Sequence, residues 1–96
     1  MSNWKTDAEK HAKDNFPSEV CGLVVIIKGR ERYIKCNNIA INPYDHFIIN
    51  PLDYAKAEDL GDVVGIFHSH PYQTALPSSA DLTACENSKK VWYIYA

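Results

Sequence analysis

Residues 62–81 read DVVGIFHSHPYQTALPSSAD, and the fold turns on how that stretch divides. Asp62 to His68 is apolar and rich in β-branched and aromatic residues, which predicts a strand buried on both faces. Ser69 to Pro77 carries prolines at 71 and 77 and reads as a loop. Ser78 to Asn87 then reads as a short helix. Residues i and i+2 of an extended chain project to the same side, so His68 and His70 offer two imidazoles to one place. Asp81 follows in the first turn of the helix, eleven residues beyond His70.

Upstream of this unit, Asn50-Pro51 opens a helix, with asparagine as cap and proline in the first turn, and Gly61 closes it. Asn37 to Tyr44 is irregular, and a short strand is predicted around His46 to Ile49. Val20 to Ile27 is apolar on both faces, as expected of a central strand. Lys28-Gly29-Arg30 turns it into a second strand, Glu31 to Asn37. Residues 3–16 predict a helix with Trp4, Ala8, Ala12 and Phe16 on one stripe. Thr6 to Glu9 resembles a capping box, and Pro17 ends the helix. Downstream, Val91 to Tyr95 predicts a last strand. The order gives an α/β (α+β) domain in three layers, a mixed sheet flanked by helices. That last strand has no polar tail to blunt it, which leads us to expect a single domain over 1–96 that is truncated at its C-terminus or covered by a partner.

The 96 residues suffice for one domain. They are 46% hydrophobic and 23% charged, with a formal net charge of −2. Such a chain has material for a core, and it lacks the basic patch that nucleic acid or an anionic membrane requires. No apolar run approaches the length of a membrane span, and the N-terminus does not resemble a signal peptide. Cysteines at 21, 36 and 85 form no C-x-x-C pair, which fits reduced thiols in the cytoplasm.

Two neutral imidazoles plus one carboxylate form a ligand set of catalytic zinc. Such an ion lowers the pKa of its water to about 7 and polarises a carbonyl. The reaction also needs a base outside the ligand set. Glu19, beside the apolar strand in Pro17-Ser18-Glu19-Val20-Cys21-Gly22, is the candidate, provided the two apolar strands lie side by side. Ser78 is placed to donate a hydrogen bond to an oxyanion. Each residue also has a plainer reading: solvated loop histidines, an S-x-x-D helix start at Ser78 to Asp81, and a surface ion pair of Glu19 with Lys13.

Taken together, H-S-H-P, the run to Pro77, S-x-x-D and an upstream glutamate resemble the signature of the JAMM (MPN-plus) metallopeptidases. The flanking Ser18 to Leu23 resembles that family's setting for its glutamate. Glu31-Arg32-Tyr33, Cys36 to Ile39, Asn50 to Tyr54 and Val64 to Phe67 resemble its phage tail tip assembly branch. The resemblance implies a cytidine-deaminase-like fold. It also implies one zinc per chain, held by His68, His70 and Asp81 with a water, Glu19 as acid/base and Ser78 as oxyanion helper. It further implies hydrolysis of peptide or isopeptide bonds. The partner is then a protein or peptide substrate, either a phage tail protein or a ubiquitin-like domain, met in the host cytoplasm during assembly or in the tail of the virion. Two alternatives stand beside it, a catalytically silent structural module of the tail and a deconjugase of a ubiquitin-like sulfur carrier.

A cysteine nucleophile at Cys21 is disfavoured by its place inside an apolar strand. Deamination would need H-x-E with P-C-x-x-C, and neither occurs.

Overall fold

The computed structural model describes residues 3–44, 46–71 and 79–96, with the backbone alone at 79–82 and 84. Helix α1 (Trp4–Asp14) starts at Asn3, whose side-chain oxygen accepts from the backbone N–H groups of Lys5 and Thr6 at 2.9 and 3.2 Å. Those bonds satisfy two donors that a helix leaves open at its N-terminus. The helix therefore starts at the head of the predicted segment, and the capping-box pattern of Thr6 to Glu9 lies within it. Trp4, Ala8 and Ala12 are buried as the stripe predicted. Phe16 is not: the helix stops at Asp14, and Phe16 leaves the stripe 59% exposed.

Strands β1 (Cys21–Ile27) and β2 (Arg30–Cys36) form an antiparallel hairpin. Lys28 and Gly29 both take positive φ, 52° and 77°, the twist that a two-residue hairpin turn needs. Helix α2 (Pro51–Leu60) has Asn50 as its cap, with Oδ1 accepting from Leu52 N at 2.9 Å, and ends at Gly61. Asp53 in its first turn reaches back to accept from Asn37 N at 2.8 Å, which fixes the helix to the end of β2. Strand β3 (Asp62–Ser69), helix α3 (Ser79–Ser88) and strand β4 (Val91–Tyr95) complete the chain. The strand expected around His46 to Ile49 is not formed. A single bridge between Asn38 and Ile49 takes its place, because the polar side chain of Asn38, described below, uses the amides and carbonyls that a longer ladder would need.

The sheet runs β2-β1-β3-β4, with β1 antiparallel to both neighbours and β3 parallel to β4. Alternate residues of β1 serve two cores. Val24, with Val20 just before the strand, packs with Trp4, Ala8 and Ala12 of α1, while Cys21, Leu23 and Val25 pack with Ala57 of α2. Helices thus cover both faces, and the continuous apolar run of β1 follows from burial on both sides. Three layers result, as the order of elements predicted. Strand β4 lies at the edge, and its aromatics divide likewise: Tyr93 and Tyr95 face the α1 core, and Trp92 faces the α2 core.

Gly22 is fixed by close approach. A Cβ there would run into the ring of Tyr33 on β2. That ring has little room to retreat. Its hydroxyl lies 2.7 Å from His11 Nδ1, and its edge meets Phe67 at a centroid distance of 5.5 Å. Burial, with the Lys35 charge adding to it, holds the His11 imidazole below its ordinary pKa, so the contact is made with the neutral ring. Gly22→Ala is expected to cost about 1–3 kcal/mol, as overpacking does in a filled core. A urea titration should show the midpoint fall with an unchanged slope; no shift would mean that Tyr33 moves freely.

Candidate metal centre

The pairing of β1 with β3 sets Cys21 opposite His68. The same register carries on past the end of β1. Ser69 N donates to Val20 O at 3.1 Å, and Val20 N donates to Ser69 Oγ at 2.9 Å. Glu19 thereby arrives beside His70. The conditional expectation that the two apolar strands lie side by side is met, and a glutamate 49 residues before His68 reaches the same end of the sheet. His70 N also donates to Tyr95 O at 2.7 Å, so β4 fixes the backbone just beyond β3.

One potential ligand atom from each of Glu19, His68 and His70 lies within 4.8 Å of the others. The two Nε2 atoms are 3.0 Å apart. All three residues are buried, with exposures of 4%, 0% and 3%. Removing a carboxylate from water is costly unless charge or hydrogen bonds compensate, which sets Glu19 apart from a surface acid paired with the exposed Lys13. Two nitrogens on one tetrahedral zinc, each at about 2.0–2.1 Å, stand roughly 3.3–3.4 Å apart, a few tenths beyond the spacing seen here. Glu19, His68 and His70 therefore have the atoms, the spacing and the charge to hold a divalent metal ion.

Aromatic rings hold the His68 imidazole in place. Phe47 stacks on it at 4.3 Å between centroids and 21° between planes, and Trp92 meets it edge-on at 5.5 Å. The nearby thiols are inert. Burial pushes Cys21 up to about 12, helped by the charges of Cys36, Asp53 and Glu19, and burial with Asp53 pushes Cys36 to about 12 as well. A thiolate nucleophile is therefore absent from this face, and Cys21, Cys36 and Cys85 are all free of disulfides.

Of the five residues singled out in the sequence, the structure brings three together. Asp81 lies in the first turn of α3, where the sequence put it, with its side chain outside the described residues. Ser78 lies outside the described residues altogether. Glu19, expected as a base beyond the ligand set, is near enough to the histidines to be counted among potential ligands. Sequence reasoning missed Phe47, Asn38 and the contact of Trp92 with His68. Phe47 falls in a stretch read as a short strand, where nothing in the sequence ties it to the histidines; its ring contact with His68 arises only in the folded chain.

The sequence profile of prokaryotic homologs of the JAB domain, Prok-JAB, matches residues 3–96. The chain belongs to the Prok-JAB family. It is 44% identical over 84 residues to the tail tip assembly protein K of Escherichia phage N15, a match covering 88% of this chain and 35% of that protein. This Prok-JAB chain therefore spans about a third of the length of that curated relative. It is also similar to a Desulfitobacterium hafniense protein known from its solution structure. That match has a TM-score of 0.67 and 31% identity, over 81% of this chain and 60% of the other. Among the described residues no helix is long and apolar enough to cross a membrane.

Proposed function

We propose that this Prok-JAB domain is a zinc metallopeptidase that hydrolyses peptide or isopeptide bonds in a protein partner. The observation that carries this reading is the burial of Glu19, His68 and His70 in one cluster at the end of the sheet. A core position has no structural need for a carboxylate and two imidazoles together.

In this reading His68, His70 and Asp81 hold one zinc ion, which supplies Lewis acidity toward the carbonyl and acidifies water to a pKa of about 7. The protein's own groups move the protons. Glu19 accepts a proton from the attacking water at its carboxylate as the new C–O bond forms. It then returns that proton to the amide nitrogen as the C–N bond breaks. Ser78 donates its hydroxyl hydrogen to the carbonyl oxygen as negative charge builds there. Phe47 and Trp92 keep the His68 ring in one orientation throughout.

The partner in this reading is a phage tail protein, and the place of action is the host cytoplasm during tail assembly. The similarity to a tail tip assembly protein supports it. The same similarity favours a second reading, in which the domain is a structural piece of the tail and hydrolyses nothing. Elemental analysis separates a metal centre from a buried polar cluster. The parent is expected to carry about one zinc per chain, and His70→Ala almost none. A parent that stays metal-free after reconstitution would exclude the metallopeptidase.

A further inference from the structure

We propose that Asn38 is a positioning residue for the metal centre, one that holds Glu19 and the His68 ring in place through a single carboxamide. The proposal rests on the metallopeptidase reading for its consequence and on hydrogen-bond geometry for its substance. The described residues 37–44 and 46–50 form a loop closed at its neck. Ile39 N donates to Ile48 O at 2.9 Å, Asn50 N donates to Asn37 O at 3.1 Å, and Asn38 bridges to Ile49. Inside the neck the Asn38 side chain makes four hydrogen bonds. Its Nδ2 donates to Glu19 O and to His46 O, each at 2.9 Å. Its Oδ1 accepts from Ala40 N at 3.1 Å and Ile48 N at 3.0 Å. Two N–H donors and two lone pairs are all that a carboxamide has, so the group is fully used.

This loop touches the metal centre at two points. Pro43 O accepts from Glu19 N at 2.6 Å, and Phe47 stacks on His68. Asn38 adds a third link, directly to the carbonyl of Glu19. The glutamate backbone is thus gripped on both sides by the loop that Asn38 holds closed. Groups that orient ligands without touching the metal often matter about 10- to 100-fold in affinity or rate, and a fully satisfied polar network gives the rigidity that such orientation needs.

Asn38→Asp separates the two halves of the network. The carboxylate still accepts from Ala40 N and Ile48 N, so those two bonds within the loop are kept, but the donors to Glu19 O and His46 O are lost. Two measurements test the idea. One is amide hydrogen exchange of the folded protein. The other is titration with zinc alone and with cobalt(II) alone, the latter followed by its visible spectrum. In Asn38→Asp we expect exchange at Glu19 to quicken at least about tenfold, with Ala40, Ile48 and the β1 amides protected as in the parent. Metal affinity should fall about 10- to 100-fold, with a shifted cobalt spectrum. Asn38→Ala should extend the loss of protection to Ala40 and Ile48. Parent-like exchange at Glu19 together with parent-like metal affinity would overturn the proposal. So would a uniform loss of protection across β1 and β3, which would make Asn38 a residue of general stability. A parent that binds neither metal would sink the metallopeptidase reading and leave exchange at Glu19 to decide the role of Asn38.

Discussion

Glu19→Gln is expected to lower peptide hydrolysis by about 100- to 10,000-fold, the usual worth of a positioned acid/base, with zinc content and unfolding midpoint close to the parent's. Glutamine has nearly the same shape, so it fills the buried position that Glu19 occupies at 4% exposure. It cannot take a proton from water at neutral pH. Its carboxamide oxygen can still accept a hydrogen bond, and the backbone bonds to Pro43 and Asn38 are untouched by the change. The assay follows cleavage of a peptide selected from a library by the parent. Turnover equal to the parent's would remove Glu19 from the chemistry. Loss of zinc along with turnover would make it a ligand, a role that its distance from the histidines permits. If the parent cleaves no peptide but binds zinc, the structural reading of the domain gains.

Much of this arrangement is legible in the sequence because two periodicities carry it. The apolar runs at Val20 to Ile27 and Val63 to Phe67 mark strands covered on both faces, and β1 and β3 are such strands. The i, i+2 spacing of His68 and His70 places both imidazoles together, and the 3.0 Å separation agrees. Asn50-Pro51 and Gly61 bound α2 because caps act through their immediate neighbours. The failures share a different cause. At Thr6 a capping-box pattern goes unused, because Asn3 already caps a helix whose buried stripe begins at Trp4. Around His46 to Ile49 a β-like composition is overridden by one side chain, Asn38, whose partners lie as far as 19 residues away. Phe47 against His68 depends likewise on a contact between distant segments. Short-range pattern finds elements and ligands, whereas the parts that orient ligands are set by tertiary packing.

Trp4→Ala is expected to give the largest loss of stability, about 3–5 kcal/mol, as truncation of a buried aromatic does. A domain of this size has only about 5–15 kcal/mol in all. Trp4 is 7% exposed and is the largest side chain that α1 buries. Its ring meets Tyr93 of β4 edge-on, with centroids 4.6 Å apart and planes at 72°, a geometry worth about 0.5–1.5 kcal/mol beyond the buried area. The other buried positions of α1 are Ala8 and Ala12. Alanines admit close approach of helix to sheet but bury little surface of their own, so Trp4 supplies most of the apolar area that docks the helix. Urea titration should show the midpoint drop by roughly 1.5–2.5 M for a slope near 2 kcal/mol/M. Trp4→Phe, which keeps a ring against Tyr93, should lose markedly less. The effect should also reach the metal centre. Tyr93 pairs with Phe67 across β3 and β4, and two residues further on Tyr95 O fixes the backbone of His70. Weaker docking of α1 therefore loosens β4, and with it one of the two histidines. A midpoint within about 0.3 M of the parent's, at an unchanged slope, would show that α1 is held by something other than Trp4.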